Sequence, residues 1–149
     1  MAIIFYKIFP NLFLPFLGIK GYTIAGFFVF LLHKKIFRKF ACDITPGCQL
    51  GKVIFRHPTG IVIGGGAVLA DGVIIHQNVT FGALRFDEKA KRGIPCQQIV
   101  DQETIIGCGA KVLGDVTIGK NCIIGANAVV TKDVPDDTTV VGFNTFIYK

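Results

Sequence analysis

The chain has no tryptophan and one methionine, and only 17% of its 149 residues are charged. With 51% hydrophobic residues, this thin charge excludes a disordered chain, and the length suits one domain. No run reaches the ~20 consecutive apolar residues of a spanning helix; the longest uncharged apolar stretch, Gly21 to Leu32, has twelve. The five cysteines (Cys42, Cys48, Cys96, Cys108, Cys122) are odd in number, with no C-x-x-C spacing. That argues against a zinc site or disulfide framework and for small buried thiols. Neither a G-x-S-x-G elbow nor a Cys–His nucleophile motif is found. Acidic residues are missing altogether from residues 1–42, which carry six basic residues and nine of the fourteen Phe. Residues 43–149 hold ten bases and ten acids, so the net charge of +6 belongs to the N-terminal part. No basic stripe or nucleic-acid motif accompanies it.

Residues 1–41 therefore form a hydrophobic, basic segment, expected to be helical. The apolar run is followed at once by His33-Lys34-Lys35-Ile36-Phe37-Arg38-Lys39-Phe40. An apolar stretch with a dense cationic end suits an anionic membrane surface. A helix packed on the neighbouring domain or on another subunit is the other reading. No small-residue cleavage site follows the run, so it lacks the order of a secretory signal. The expected location is cytoplasmic, with peripheral contact on the inner membrane face.

What the chain has in quantity is glycine, 18 residues, and a period of six. Ile63, Leu69, Ile75 and Phe81 stand six apart. The phase lapses and returns as Val100, Ile106, Val112, Ile118, Ile124 and Val130. Four places after these leads come small or β-branched residues, among them Ala67, Val73, Thr104, Ala110, Cys122 and Ala128. Such a period fits neither an α-helix nor an alternating strand; it is that of hexapeptide β-helix repeats. Each hexad makes a short strand and a turn, the lead residue points inward, and three hexads complete a triangular coil that buries its neighbour's edge. Ile44, Cys48 and Leu50 extend the pattern upstream, with a slip near residues 51–57. The charged stretch 83–99 should protrude as a loop, either functional or a tolerated insertion. The expected organisation is the N-terminal segment 1–41, a β-helix over 42–143 and a C-terminal tail, 144–149.

Several stretches carry a resemblance: Asp43-Ile44-Thr45-Pro46; Arg56-His57-Pro58-Thr59-Gly60-Ile61-Val62-Ile63-Gly64; Gln77-Asn78-Val79-Thr80-Phe81-Gly82; and the Gly-Ala pieces at 106–114 and 124–130. With these the chain resembles the left-handed parallel β-helix acyltransferases with hexapeptide repeats. Within them it resembles the serine O-acetyltransferase branch and its relatives that O-acetylate bacterial polysaccharides. The resemblance implies an all-β, left-handed β-helix and a homotrimer. It also implies acetyl-CoA in the groove between adjacent subunits, and direct acetyl transfer to a hydroxyl without a metal.

An alcohol attacking a thioester needs a base near neutral pH, which histidine supplies. Of His33, His57 and His76, His57 matches the family's general base; a backbone-bonded corner histidine is the plainer reading. Asp43 matches the acid that orients it, and could equally be a turn residue. His33 is expected to be solvated or lipid-facing. His76 could line the acceptor pocket or serve as base in place of His57. By family position, the backbone N–H of Gly82 or Ala83 would receive the oxyanion. CoA contacts carried over in the same way are Ala83, Gly107, Cys108, Gly125 and Ala126. Lys132 would meet a CoA phosphate or remain solvated.

Two departures concern the acceptor. The serine enzymes carry Asp where this chain has Arg56, and a loop His in an Arg-His-Pro context where it reads Gly93-Ile94-Pro95-Cys96-Gln97-Gln98. These favour a saccharide hydroxyl, on a cell-surface glycan or its precursor, as acceptor. Serine acetylation is the alternative, and a non-catalytic β-helix scaffold is the third reading.

Overall fold

The computed structural model describes residues 24–84, 96–143 and 145–148. The core of the expected loop and residues 1–23 of the N-terminal segment lie outside the described residues.

Short strands alternate among three faces of a prism. Face one stacks β1 (Asp43–Ile44), β4 (Val62–Ile63), β7 (Thr80–Gly82), β10 (Lys111–Leu113) and β13 (Val129–Val130). Face two stacks β2 (Gln49–Leu50), β5 (Val68–Leu69), β8 (Gln98–Val100) and β11 (Val116–Ile118). Face three stacks β3 (Ile54–Phe55), β6 (Ile74–Ile75), β9 (Ile105–Ile106), β12 (Ile123–Ile124) and β14 (Thr138–Val141) in parallel. β15 (Thr145–Tyr148), in residues set apart in the sequence as a tail, joins β14 antiparallel. This is the parallel β-helix of hexapeptide repeats, with the left-handed coil expected of it.

Register shows why the period is six. Val62 pairs with Thr80 and Lys111 with Val129, each eighteen positions on, which is three hexads per coil. Across the interruption Thr80 pairs with Lys111, thirty-one positions on, and the lead residues resume in phase. The excursion ends sooner than expected, because β8 already begins at Gln98. All ten lead residues from Ile63 to Val130 are buried, as are Ala67, Val73, Val79, Thr104, Ala110, Val116, Cys122, Ala128 and Val134 four places behind. Full burial of a Val, Leu, Ile or Phe side chain stabilises by roughly 1.5–3 kcal/mol, so one continuous column of such residues holds the coils together.

The corners explain the polar residues. Asn78 and Asn127 adopt positive φ (59° and 57°), a conformation asparagine tolerates, and a Cβ on Gly60 or Gly109 beneath them would run into their side-chain oxygens. At other corners carboxylates cap the backbone of the preceding coil. Asp71 accepts the N–H of Lys52 at 2.7 Å, Asp115 that of Gln97 at 2.8 Å, and Asp133 that of Thr117 at 2.8 Å. Many of the acids that neutralise the β-helix thus serve its turns.

Among the described residues one helix, α1 (Ile24–Phe40), precedes the coils, and it contacts β1. Its C-terminal turn carries Arg38 and Lys39, which suit the helix dipole. It ends where Ala41 turns left-handed (φ 51°) and donates its N–H to Phe37 O at 2.8 Å. Ile36 packs on the core, while Phe28, Phe30, Leu31, Leu32 and Phe37 are exposed. Among the described residues no helix is long and apolar enough to cross a membrane.

Candidate functional site

Interstrand hydrogen bonds gather most of the residues singled out in the sequence onto one edge of the prism. Arg56, His76, Gly107 and Gly125 each follow a strand of face three and donate their N–H to the next coil, at 2.7, 3.0, 2.7 and 2.8 Å. They occupy one register position on four successive coils. His57, Gln77, Cys108 and Ala126 follow them in the chain, where Gly109 N–H meets Gln77 O (2.9 Å) and Asn127 N–H meets Cys108 O (2.8 Å). Gly82 lies at the far side of face one, with Ala83 next to it where the chain leaves for the loop. There Gly82 O accepts Gly114 N–H at 2.9 Å. Lys132, exposed, follows β13 toward the same far edge. The residues assigned to CoA thus divide between the two edges of face one. Its outward row, Asp43, Val62, Thr80, Lys111 and Val129, runs between them.

The slip near residues 51–57 shapes the histidine's corner. Phe55 pairs with Ile75 and Ile63 with Phe81, so this corner spans two residues more than the one above it. The extra chain is His57-Pro58, since Thr59 O accepts the N–H of Asn78 at 2.8 Å as Gln77 O accepts that of Gly109. His57 is exposed, with φ 52°, a left-handed conformation that is uncommon without glycine and marks a locally held residue. On the next coil, in register with Thr59, the side-chain oxygen of Gln77 is buried with no hydrogen-bond partner among the described residues.

Asp43 is engaged differently from the sequence expectation. Its Oδ1 lies 3.1 Å from His33 Nε2, and among the described residues no hydrogen bond joins it to His57. His33, read as solvated or lipid-facing, instead faces the β-helix from α1, its side chain 31% exposed against 49% for Asp43. Sequence reasoning missed this pair because the two residues belong to different elements joined by a tight cap. The signal was the position of His33 one turn before Ile36, the helix residue that packs inward.

Gln98 was missed as well. It is 1% exposed, and its Nε2 donates to Gly114 O at 2.5 Å and Gly82 O at 3.2 Å. It pins the loop's exit to the backbone of the far edge. A polar residue two places before the lead Val100, an inward position, was the available signal. Among the cysteines, burial pushes the Cys48 thiol up to about 11 and also raises that of Cys122, so neither is a ready thiolate. Cys108, on the site edge, is half-buried.

A family model for the bacterial transferase hexapeptide (six repeats) matches residues 99–132. The chain is 44% identical over 101 residues to a serine acetyltransferase of Synechococcus elongatus, covering 67% of this chain and 39% of that protein. It is 45% identical over 101 residues to one of Mycobacterium tuberculosis, covering 67% and 42%. Among solved structures it superposes on Neisseria gonorrhoeae serine acetyltransferase with TM-score 0.78 at 29% identity, covering 99% of this chain and 54% of that one. A serine acetyltransferase in complex with CoA gives TM-score 0.69 at 32% identity, covering 83% and 48%. The chain thus spans about two fifths to a half of the length of these relatives.

Proposed function

We propose that this member of the hexapeptide-repeat transferase family is an acetyl-CoA-dependent O-acetyltransferase, with L-serine as its acceptor. The observation that carries this is the single edge on which Arg56, His76, Gly107 and Gly125 stack, with Cys108 and Ala126 following them and His57 in the enlarged corner next to Arg56. The relatives that share these repeats are serine acetyltransferases, one of them in complex with CoA. The saccharide acceptor favoured by sequence gains no support from them. Arg56, in the place of the serine branch's Asp, and the stretch Gly93 to Gln98, without that branch's loop His, keep a sugar hydroxyl as the second reading.

In this mechanism a homotrimer sets face one against a neighbouring subunit, and acetyl-CoA lies along the groove with Lys132 toward its phosphates. His57 takes the acceptor's hydroxyl proton as the oxygen attacks the thioester carbonyl. The negative oxygen of the tetrahedral intermediate is met by the backbone N–H of Gly82 or Ala83. The C–S bond then breaks, and the imidazolium returns its proton to the departing CoA thiolate. Asp43 would hold the ring of His57 in the donating tautomer and favour the imidazolium.

Thiol release from acetyl-CoA, measured with L-serine and separately with sugar nucleotides and oligosaccharides, tests the reading. Serine-dependent release is expected, falling about 10²–10⁴-fold in His57→Ala, the usual worth of a general base. Release driven by saccharides alone transfers the proposal to the second reading. No release with any acceptor leaves the scaffold.

We further propose that α1 rests on an anionic lipid surface at the inner face of the membrane. Its exposed Phe and Leu residues, the cations Lys34, Lys35, Arg38 and Lys39, and the absence of acid before Asp43 support this. Co-sedimentation with phosphatidylglycerol vesicles, lost at high salt and absent with phosphatidylcholine, is the expected result. Equal binding to both lipids, or to neither, overturns it.

A further inference from the structure

The contact between α1 and the first coil joins three points. His33 Nε2 stands 3.1 Å from Asp43 Oδ1. Ile36, one turn along, packs on the core. Phe40 O, at the helix end, accepts the N–H of Gly60 at 3.2 Å, and Gly60 closes the turn that begins at His57. One helix therefore touches both the carboxylate proposed to orient the base and the turn that carries the base.

The chemistry of the pair is directional. An ionised carboxylate only accepts hydrogen bonds, so His33 must carry its proton on Nε2. The bond occupies Oδ1 and leaves Oδ2 unused by His33. A half-exposed aspartate on a strand end would otherwise exchange among rotamers; a second fixed point on the carboxylate selects one of them.

We infer that His33 is a positioning residue for Asp43. From α1 it holds Oδ1, so that Oδ2 is presented to the ring N–H of His57 as the acceptor hydroxyl is deprotonated. The inference rests on the transferase reading above and deepens it: α1 becomes part of the catalytic architecture as well as a surface element. Because His33 acts through Asp43, its removal should act on the rate of transfer and leave donor binding alone.

The test compares His33→Ala, His33→Gln and Asp43→Asn, each alone, and His33→Ala combined with Asp43→Asn, in the full chain. The readouts are kcat, KM for acetyl-CoA and thermal midpoint. Glutamine offers an N–H donor at a similar reach but does not titrate. A charge-assisted hydrogen bond at a half-exposed site predicts a loss of about tenfold in kcat for His33→Ala, with KM for acetyl-CoA unchanged. His33→Gln should recover most of that loss. In the Asp43→Asn background His33→Ala should add nothing further, since the two act through one contact. Nitrogen-15 NMR of the imidazole should show Nε2 protonated in the wild type and the signal displaced in Asp43→Asn. Wild-type kcat in His33→Ala, equal loss in Ala and Gln variants matched by equal loss of thermal midpoint, or additive losses in the double variant would each overturn the inference. His57→Ala inactive beside a fully active His33→Ala removes the role of His33 alone. A wild type that acetylates nothing removes the transferase reading and this inference with it.

Discussion

Replacing Thr104 by valine isolates what couples one coil to the next. Thr104 is fully buried. Its hydroxyl donates to Gly119 O at 2.8 Å and accepts the N–H of Cys122 at 3.0 Å. Valine keeps the branched shape but supplies neither donor nor acceptor, so a carbonyl and an amide of the following coil lose their partner together. Each unpaired buried group costs about 1–3 kcal/mol, against which the added methyl returns about 0.8 kcal/mol. The net loss should be about 2–4 kcal/mol. Thr104→Ser, which keeps the hydroxyl and removes a methyl, should lose only about 1 kcal/mol. Urea denaturation at equal protein concentration reads both. With a slope of about 1–3 kcal/mol per molar, the valine midpoint should fall by about 1–2 M with the slope unchanged. A valine variant as stable as the wild type, or a serine variant worse than the valine one, refutes the argument that the hydroxyl bridges coils.

Glycines on the two edges of face one should respond oppositely. A methyl on Gly107 would stand 2.7 Å from Ile124 O and 2.8 Å from Ala126 N, both backbone of the next coil, whereas one on Gly82 would meet nothing closer than Thr80 Cγ2 at 3.8 Å. Gly107→Ala should therefore destabilise by about 1–3 kcal/mol and raise KM for acetyl-CoA, with Gly82→Ala near neutral in thermal melts. Alkaline stability should depend on Cys48. Its thiol, ordinarily 9.0, is raised to about 11 by burial, so the folded state holds this proton more tightly than the unfolded chain does. That contribution is complete below pH 9, declines as pH rises through about 11, and amounts to on the order of 2–3 kcal/mol. Denaturation at pH 8 and pH 10.5 should show a smaller fall for Cys48→Ala than for the wild type; identical falls would remove the thiol as the cause.

The prism was legible because its energetics repeat. Every coil must bury one aliphatic per face and admit a small neighbour four places on, so Ile63, Leu69, Ile75 and their successors announce it without any long-range knowledge. The shared edge of His76, Gly107 and Gly125 follows from that same phase. Legibility failed where the phase did. The residues from Leu50 to His57 break the period, so the enlarged corner at His57 could be placed only by register. β15 carries no hexad, and its antiparallel pairing with β14 left no trace in the period. The His33–Asp43 contact depends on how α1 folds back from Ala41, a tertiary angle that a helical pattern does not encode. Gln98 was passed over because polar residues at inward positions are rare, although its burial is what makes its two carbonyl contacts matter.

A winding chain has no intrinsic reason to halt, since each finished coil offers the next a matching template of amides and carbonyls. On face three that template ends at Val141, where the chain doubles back and lays β15 against β14 in the opposite sense. A copy of the prism approaching this rim would find strand polarity reversed and could not continue the parallel ladder. On face three the reversal therefore denies an incoming copy a strand of matching polarity to extend.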